Sequence, residues 1–142
     1  MNTFPITDPE IILQCIPQRH PIVMVDHLLS YTTNSVVATH LVTENRLFTQ
    51  AYLTEPGLIE HMAQSVALHT GYGYYIQNIP APIGYIGSIS NLKLHRLPKI
   101  GECITTEVTV LQEFGDITLV DIISKVDQEI IALGQMKTVK AP

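Results

Sequence analysis

The sequence predicts an α+β fold in which one long helix is wrapped by an antiparallel sheet. Three observations predict it. The stretch that opens at Pro56-Gly57 and stops at Asn78-Ile79-Pro80 is the one long segment whose apolar residues follow helical spacing. Two strand-like segments precede it and four follow, with turn residues between them. The helix is apolar nearly all round, so it must be covered on most sides, and only sheet is available to cover it.

Each element has a local cause. Asp8-Pro9-Glu10 starts a short helix, with an N-cap acid, Pro at the first helical position and an acid in the first turn. Ile11, Ile12, Cys15 and Ile16 give it an apolar face, and Pro17 ends it. Pro21 to Tyr31 and Ser35 to Thr43 read as strands, the second rich in β-branched residues. In the long helix Ile59, Met62, Ala63, Val66, Ala67 and Thr70 keep the helical period. Ala63, Ala67 and Gly71 recur at intervals of four, a stripe of small residues that allows close approach to another backbone. Ile83 to Leu94 and Cys103 to Val110 are strands. In the latter, Ile104, Thr106, Val108 and Val110 share one face. Phe114-Gly115-Asp116 is a turn, and Ile117 to Val126 pairs with Ile130 to Val139 around Asp127-Gln128. This order is the hotdog arrangement, within a single domain spanning 1–142. Its open sheet edges and apolar helix predict a dimer.

Composition narrows the function. The chain has 142 residues, 46% hydrophobic and 15% charged, with a formal charge of −5. An acidic chain without a basic stripe predicts no nucleic-acid partner. From His61 to Leu92 there is no charged residue, but Gln64, His69, Gln77, Asn78, Pro80 and Pro82 interrupt the run, so no membrane span is predicted. The first ten residues are polar and do not resemble a signal peptide, which points to the cytoplasm. Cys15 and Cys103 read as reduced, buried thiols, and no Cys/His spacing suits a metal; no cofactor is predicted.

Among chemically capable residues, Glu60 stands out as an acid among Leu58, Ile59 and Met62 in the first turns of the long helix. Interaction with the helix dipole is sufficient to explain it, at about 0.3–1 kcal/mol. Partial burial would instead raise its pKa and suit it to acid catalysis. Gly57 serves as helix-start punctuation or offers a free N–H to a carbonyl oxygen. Gln64, one turn beyond Glu60, is placed to orient it. His61 lies about 100° round the helix from Glu60 and is either a structural histidine or a base facing a dimer seam. His20, His27, His40 and His69 read as structural. Lys93, His95, Arg96 and Lys99 form the one basic cluster, either a protective strand edge or a contact for an acidic carrier or a phosphate.

Three motifs together resemble a known family. Ile16-Pro17-Gln18-Arg19-His20-Pro21-Ile22-Val23-Met24-Val25-Asp26 resembles the opening of the 3-hydroxyacyl-[acyl-carrier-protein] dehydratases of fatty acid synthesis. Glu60-His61-Met62-Ala63-Gln64 resembles the Glu-x-Met-Ala-Gln of their central helix, and Leu94 to Glu102 resembles their strand-turn-strand ending in Pro-x-x-Gly-Asp. The match runs in register over about residues 10 to 138. The resemblance implies a hotdog dimer with sites between protomers, a thioester substrate on an acyl carrier protein or coenzyme A, and two catalytic groups. A His before the helix removes the proton alpha to the thioester carbonyl. An acid on the helix, matched by Glu60, helps the 3-hydroxyl leave as water.

The chain departs from that pattern at one point. Where the family has Gly-His-Phe-Pro, this sequence reads Ala51-Tyr52-Leu53, so Tyr52 stands in the place of the His and the following loop is shorter. In this it is similar to the dehydratase-like proteins of aryl-polyene and flexirubin pigment synthesis, some of which lack the His and some of which pair with a second hotdog subunit. Tyr52 either plugs the vacated pocket or donates a hydrogen bond to substrate. The resemblance thus implies a 3-hydroxyacyl thioester dehydratase or dehydratase-like subunit. The alternatives are a silent acyl-thioester-binding subunit that completes a partner's site, or an acyl thioesterase.

Overall fold

The structure is a computed structural model and describes residues 3–45 and 47–141. Met1 and Asn2, which head the polar N-terminal run, lie outside the described residues. Helix α1 (Pro9–Cys15) is capped as its sequence requires, with Asp8 Oδ1 accepting the Glu10 N–H at 2.9 Å. Strands β1 (His27–Thr32) and β2 (Ser35–Leu41) follow, then the long helix α2 (Glu55–Tyr75). Strands β3 (Gly84–Leu94), β4 (Cys103–Phe114), β5 (Ile117–Val126) and β6 (Glu129–Lys140) complete the chain.

All six strands form one antiparallel sheet in the order β1-β2-β4-β5-β6-β3. The β5–β6 turn is tight because Asp127 takes a left-handed conformation (φ 53°), which Asp tolerates better than most residues. Gly115 does the same between β4 and β5 (φ 57°). Helix α2 packs against β2, β4 and β5. There Leu58, Met62 and Leu68 meet Val36, Ala38, Ile104, Val108 and Ile122, all fully buried. Each such side chain contributes about 1.5–3 kcal/mol by leaving water.

The sheet ends differ in a way that matters for function. Strand β3 pairs only with β6, and its other edge is free. It carries large apolar side chains into solvent, with Tyr85 61%, Ile86 42% and Ile89 41% exposed.

One predicted strand is shorter than expected. Residues 21–26 are extended in sequence pattern, but the strand begins only at His27. The cause is that side chains of α2 take the backbone groups a neighbouring strand would need. Gln64 Oε1 accepts the Met24 N–H at 2.6 Å and Gln64 Nε2 donates to the Ile22 carbonyl at 2.8 Å. His61 Nδ1 donates to the Met24 carbonyl at 2.6 Å.

Candidate active site

Two faces of α2 do different work. The face carrying His61, Met62, Gln64, Ser65 and Leu68 is fully buried against the sheet and the residue 22–24 segment. The opposite face carries Glu60, Ala63, Ala67, Thr70 and Gly71 and lines a groove. The groove has two lobes, of about 380 Å³ and about 540 Å³, which share Glu60, Ala63 and Ile86. The first lobe runs along α2 towards its C-terminus, bounded by Gln14 to Gln18, Ile83 to Ile86 and Lys140. The second is walled by Glu55, Pro56, Ile59 and Ile89 near the start of the helix. The stripe of small residues explains the depth of the first lobe and the closeness of α1. A Cβ on Gly71 would overlap the Cys15 carbonyl oxygen and lie 2.6 Å from its carbon.

Glu60 sits where the lobes meet. It is half-buried, and loss of solvent raises its pKa above the ordinary carboxylate value, with Gln64 one turn on acting in the opposite direction. A half-buried carboxyl of raised pKa that faces a groove is a candidate for giving or taking a proton there. No histidine borders the groove among the described residues.

The remaining candidates are placed elsewhere. His61 has no exposed surface, and both ring nitrogens are occupied. Nδ1 must carry the proton, because its partner is a carbonyl oxygen. Nε2 therefore accepts from Thr106 Oγ1 at 2.7 Å, and Thr106 in turn contacts Ser124 at 2.7 Å. Burial, reinforced by the nearby His40, pushes its pKa down to about 4, so it is neutral. The expectation that it faces a seam is not met; it faces the core. Gln64 is also fully buried; its amide binds Met24 and Ile22 and still faces Glu60 closely enough to lower its pKa. Gly57 is buried beside Leu53 and Phe48, and a Cβ there would lie 2.6 Å from Leu53 Cδ1; the residue does not line the groove. Its N–H belongs to the helix's first turn, where no intrahelical acceptor exists.

Tyr52 is 41% exposed, pairs with Lys99 through an isolated bridge, and lies outside the groove. Within one chain, then, Glu60 is brought to neither Tyr52 nor His61. Of the basic cluster, Lys93 and Lys99 are exposed. Arg96 is engaged, with Nε donating to both Glu129 oxygens at 3.1 and 3.0 Å and its terminal nitrogens to Glu102 at 2.8 and 3.1 Å. Those bonds raise the pKa of Arg96 and hold Glu102 far below the ordinary range. Cys15 is buried as expected, but Cys103 is exposed, because it lies on the face of β4 opposite the buried Ile104. No three His, Cys, Asp or Glu side chains converge as a metal site requires among the described residues. Nor is any described helix long and apolar enough to cross a membrane.

Sequence reasoning did not single out Gln14, Gln18, Tyr85 and Ile86, which line the groove. The available signals were the charge-free stretch, which runs through Ile83 to Leu92, and the small-residue stripe opposite it.

Comparison with known proteins agrees with this architecture. Residues 11–141 match the model of the ApeP-like family, described as ApeP dehydratase. The 3-hydroxyacyl-[acyl-carrier-protein] dehydratase FabZ of Shewanella sp. (strain MR-4) is 30% identical over 145 residues, covering 96% of this chain and 92% of the relative. The FabZ of Shewanella oneidensis is similar at the same identity and coverage. Among solved structures, the dehydratase heterocomplex ApeI:P from Xenorhabdus doucetiae superposes with a TM-score of 0.85 at 14% identity, covering 99% of this chain and 93% of that one. The smu.793 protein of Streptococcus mutans bound to acetyl CoA has a TM-score of 0.66 at 12% identity, over 87% and 96%. With a hotdog sheet around one central helix and this family match across nearly its whole length, the chain is a dehydratase or dehydratase-like protein and belongs to the ApeP-like dehydratase family.

Proposed function

We propose that this chain acts in the cytoplasm on 3-hydroxyacyl thioesters, carried by an acyl carrier protein or coenzyme A, as one subunit of a hotdog dimer. The observation that carries the reading is Glu60: a half-buried carboxyl of raised pKa, at the junction of a two-lobed groove, beside an unpaired apolar strand edge. In dehydration the protonated carboxyl gives its proton to the departing 3-hydroxyl, and a base takes the proton alpha to the carbonyl. The groove of a single chain holds the acid and no imidazole. Tyr52 and the first-turn N–H of Gly57 lie off that groove, so neither reaches the carboxyl within one chain, and only a dimer seam could bring them to a site. The FabZ relatives support the thioester chemistry, and the likeness to the dehydratase heterocomplex ApeI:P supports a second hotdog subunit.

A second reading is favoured by Tyr52 itself: the chain binds acyl thioesters and completes a partner's site without turning over alone. Lys93 and Lys99 are the free cations for an acidic carrier in either reading, whereas Arg96 is neutralised by its two carboxylates.

The test is turnover of crotonyl- and 3-hydroxyacyl-thioesters by the purified chain, alone and with a co-purifying hotdog subunit, against Glu60→Gln. The near-isosteric change removes proton transfer and is expected to lower the rate about 10²–10⁴-fold. Unchanged turnover in a folded Glu60→Gln variant removes Glu60 from the chemistry. Release of free thiol would identify a thioesterase instead.

A further inference from the structure

The amide of Gln64 has two ends of opposite character, and the end that faces Glu60 decides its effect. An N–H turned to the carboxyl favours the ionised form, whereas the oxygen would disfavour it. Burial raises the pKa of Glu60 and Gln64 acts against it, so the donor end faces the carboxyl. Half a turn of the amide exchanges the two ends with almost no change of shape, so something must hold it. Met24 N–H donates to Gln64 Oε1 at 2.6 Å, while Gln64 Nε2 spends one hydrogen on the Ile22 carbonyl at 2.8 Å and keeps the second. A flipped amide would set donor against donor at Met24 and oxygen against oxygen at Ile22.

Met24 is itself held by the same helix. His61 Nδ1 donates to its carbonyl at 2.6 Å. His61 and Gln64 stand three residues apart and share a face of α2, so one takes the carbonyl of Met24 and the other its N–H. Residues 22–24 belong to no strand, and no sheet ladder would hold this peptide in place of the histidine. The imidazole is fixed in turn from its far side, where Thr106 Oγ1 donates to Nε2 at 2.7 Å and itself contacts Ser124. We propose that His61 is a positioning residue for Glu60: through Met24 it fixes which end of the Gln64 amide faces the carboxyl. The inference deepens the reading of Glu60 as the acid of the site and rests on it for its catalytic sense.

Two conservative variants separate the two bonds of His61. His61→Asn places an amide N–H near the position of Nδ1 and keeps the Met24 carbonyl satisfied. His61→Gln carries its amide out to the position of Nε2 and keeps Thr106 instead. The readout is the titration of the Glu60 carboxyl by carbon-13 NMR, its signal identified by its loss in Glu60→Gln. Each variant gives up one buried hydrogen bond, so a merely structural histidine predicts similar losses of stability and an unmoved titration in both. The positioning role predicts that His61→Asn titrates as the wild type does and that His61→Gln moves the Glu60 midpoint upward. Thr106→Val, which loses a bond to the same ring but spares Met24, should leave the midpoint in place. The charged groups that border the groove, Glu55 on α2 and Lys140 on β6, and those nearest His61, His40 on β2 and Asp26 beside it, are common to all these proteins.

In a thioester assay His61→Gln is expected to lower kcat about three- to tenfold with KM little changed, the scale of one hydrogen bond. The limb of the pH profile that reports Glu60 should rise with the NMR midpoint. The wild type is a test in itself should a variant fail to fold. Nitrogen-15 NMR should show His61 with its proton on Nδ1, and the side-chain amide of Gln64 should shift as Glu60 titrates. A proton on Nε2, an amide indifferent to Glu60, a His61→Gln protein whose Glu60 titrates as in the wild type, or a His61→Asn or Thr106→Val protein shifted as far as His61→Gln overturns the inference and leaves the thioester reading standing. The predicted titrations in a protein that turns over no thioester, alone or with its partner subunit, overturn the thioester reading instead.

Discussion

Replacing His61 by Leu, a residue of similar volume, separates a core histidine from a catalytic one. The change removes the donor to the Met24 carbonyl and the acceptor of the Thr106 hydroxyl, two fully buried bonds of 2.6 and 2.7 Å. Thr106 keeps Ser124, so the carbonyl is the group left orphaned. With an unsatisfied buried group at about 1–3 kcal/mol, the expected loss is about 1–3 kcal/mol at pH 7. For a chain of this size that is a fall of roughly 3–10 °C in melting temperature. The pH dependence is the sharper readout. The pKa of His61 is depressed from 6.5 to about 4, so the unfolded chain binds a proton that the native one refuses. Its contribution is fully present above pH 6.5 and is lost as pH falls towards 4, amounting to roughly 3 kcal/mol. His69, also depressed by burial, acts in the same direction. Glu60, raised by burial, acts in the opposite one. Asp26, which His40 and the Leu41 N–H hold low against the effect of burial, and Glu102, held low by Arg96, act below about pH 4.5. These four are common to both proteins. Denaturant unfolding of wild type and His61→Leu between pH 7 and 4.5 should therefore converge as pH falls. Parallel curves would refute a neutral, buried His61. A His61→Leu protein that folds yet loses all turnover on a Glu60-competent background would return His61 to the chemistry.

Gly71→Ala should cost at least the 1–3 kcal/mol typical of overpacking, because the new Cβ meets the backbone of Cys15 rather than a flexible side chain; thermal unfolding measures it, and a neutral change would mean that α1 moves freely. Tyr52→Phe should change rate and stability little, since the phenol lies in solvent in the single chain, and Tyr52→His should not raise activity; a loss of 10²–10³-fold in Tyr52→Phe would make the phenol an oxyanion donor across the dimer. Ile86→Lys and Ile89→Lys on the free edge of β3 should shift a dimer to monomer in light scattering, and a wild-type monomer at micromolar concentration would rule out a shared site.

Much of the fold was legible because local chemistry and period agree. Asp8-Pro9 capped a helix, Asp127-Gln128 closed a hairpin, and alternation along β4 put Ile104, Thr106 and Val108 inside. The shortened first strand was not legible, because the competitor for its backbone bonds lies 40 residues away at Gln64. At the site, Glu60 was legible as an acid among apolar neighbours. For His61 the structural reading holds and the seam reading does not. The particular backbone partners of Gln64 were not legible, since Met24 and Ile22 lie 40 and 42 residues away in sequence. Arg96 looked like a free cation until Glu102 and Glu129, distant in sequence or hidden in a turn, were placed on it.

Helix α2 joins these points. A helix that buries one face in a sheet usually shows polar residues on the other. Here the arrangement is inverted. The buried face carries His61, Gln64 and Ser65, and each spends its polar atoms on the backbone or on Thr106. The groove face carries Ala63, Ala67 and Gly71, with Glu60 where the lobes meet and Glu55 at the start of the helix. Polar side chains on the buried face fix the residue 22–24 segment, and through it the position of Gln18 and Pro17 on the groove wall. Small side chains on the other face leave a channel against β3 that none of the described elements fills. Glu60 is then the one titratable group on an otherwise apolar face of α2 from Ile59 to Gly71, and its raised pKa follows from that isolation. The same choice of residues that hid the helix's orientation in the sequence is what places a half-buried carboxyl at the junction of the groove's two lobes.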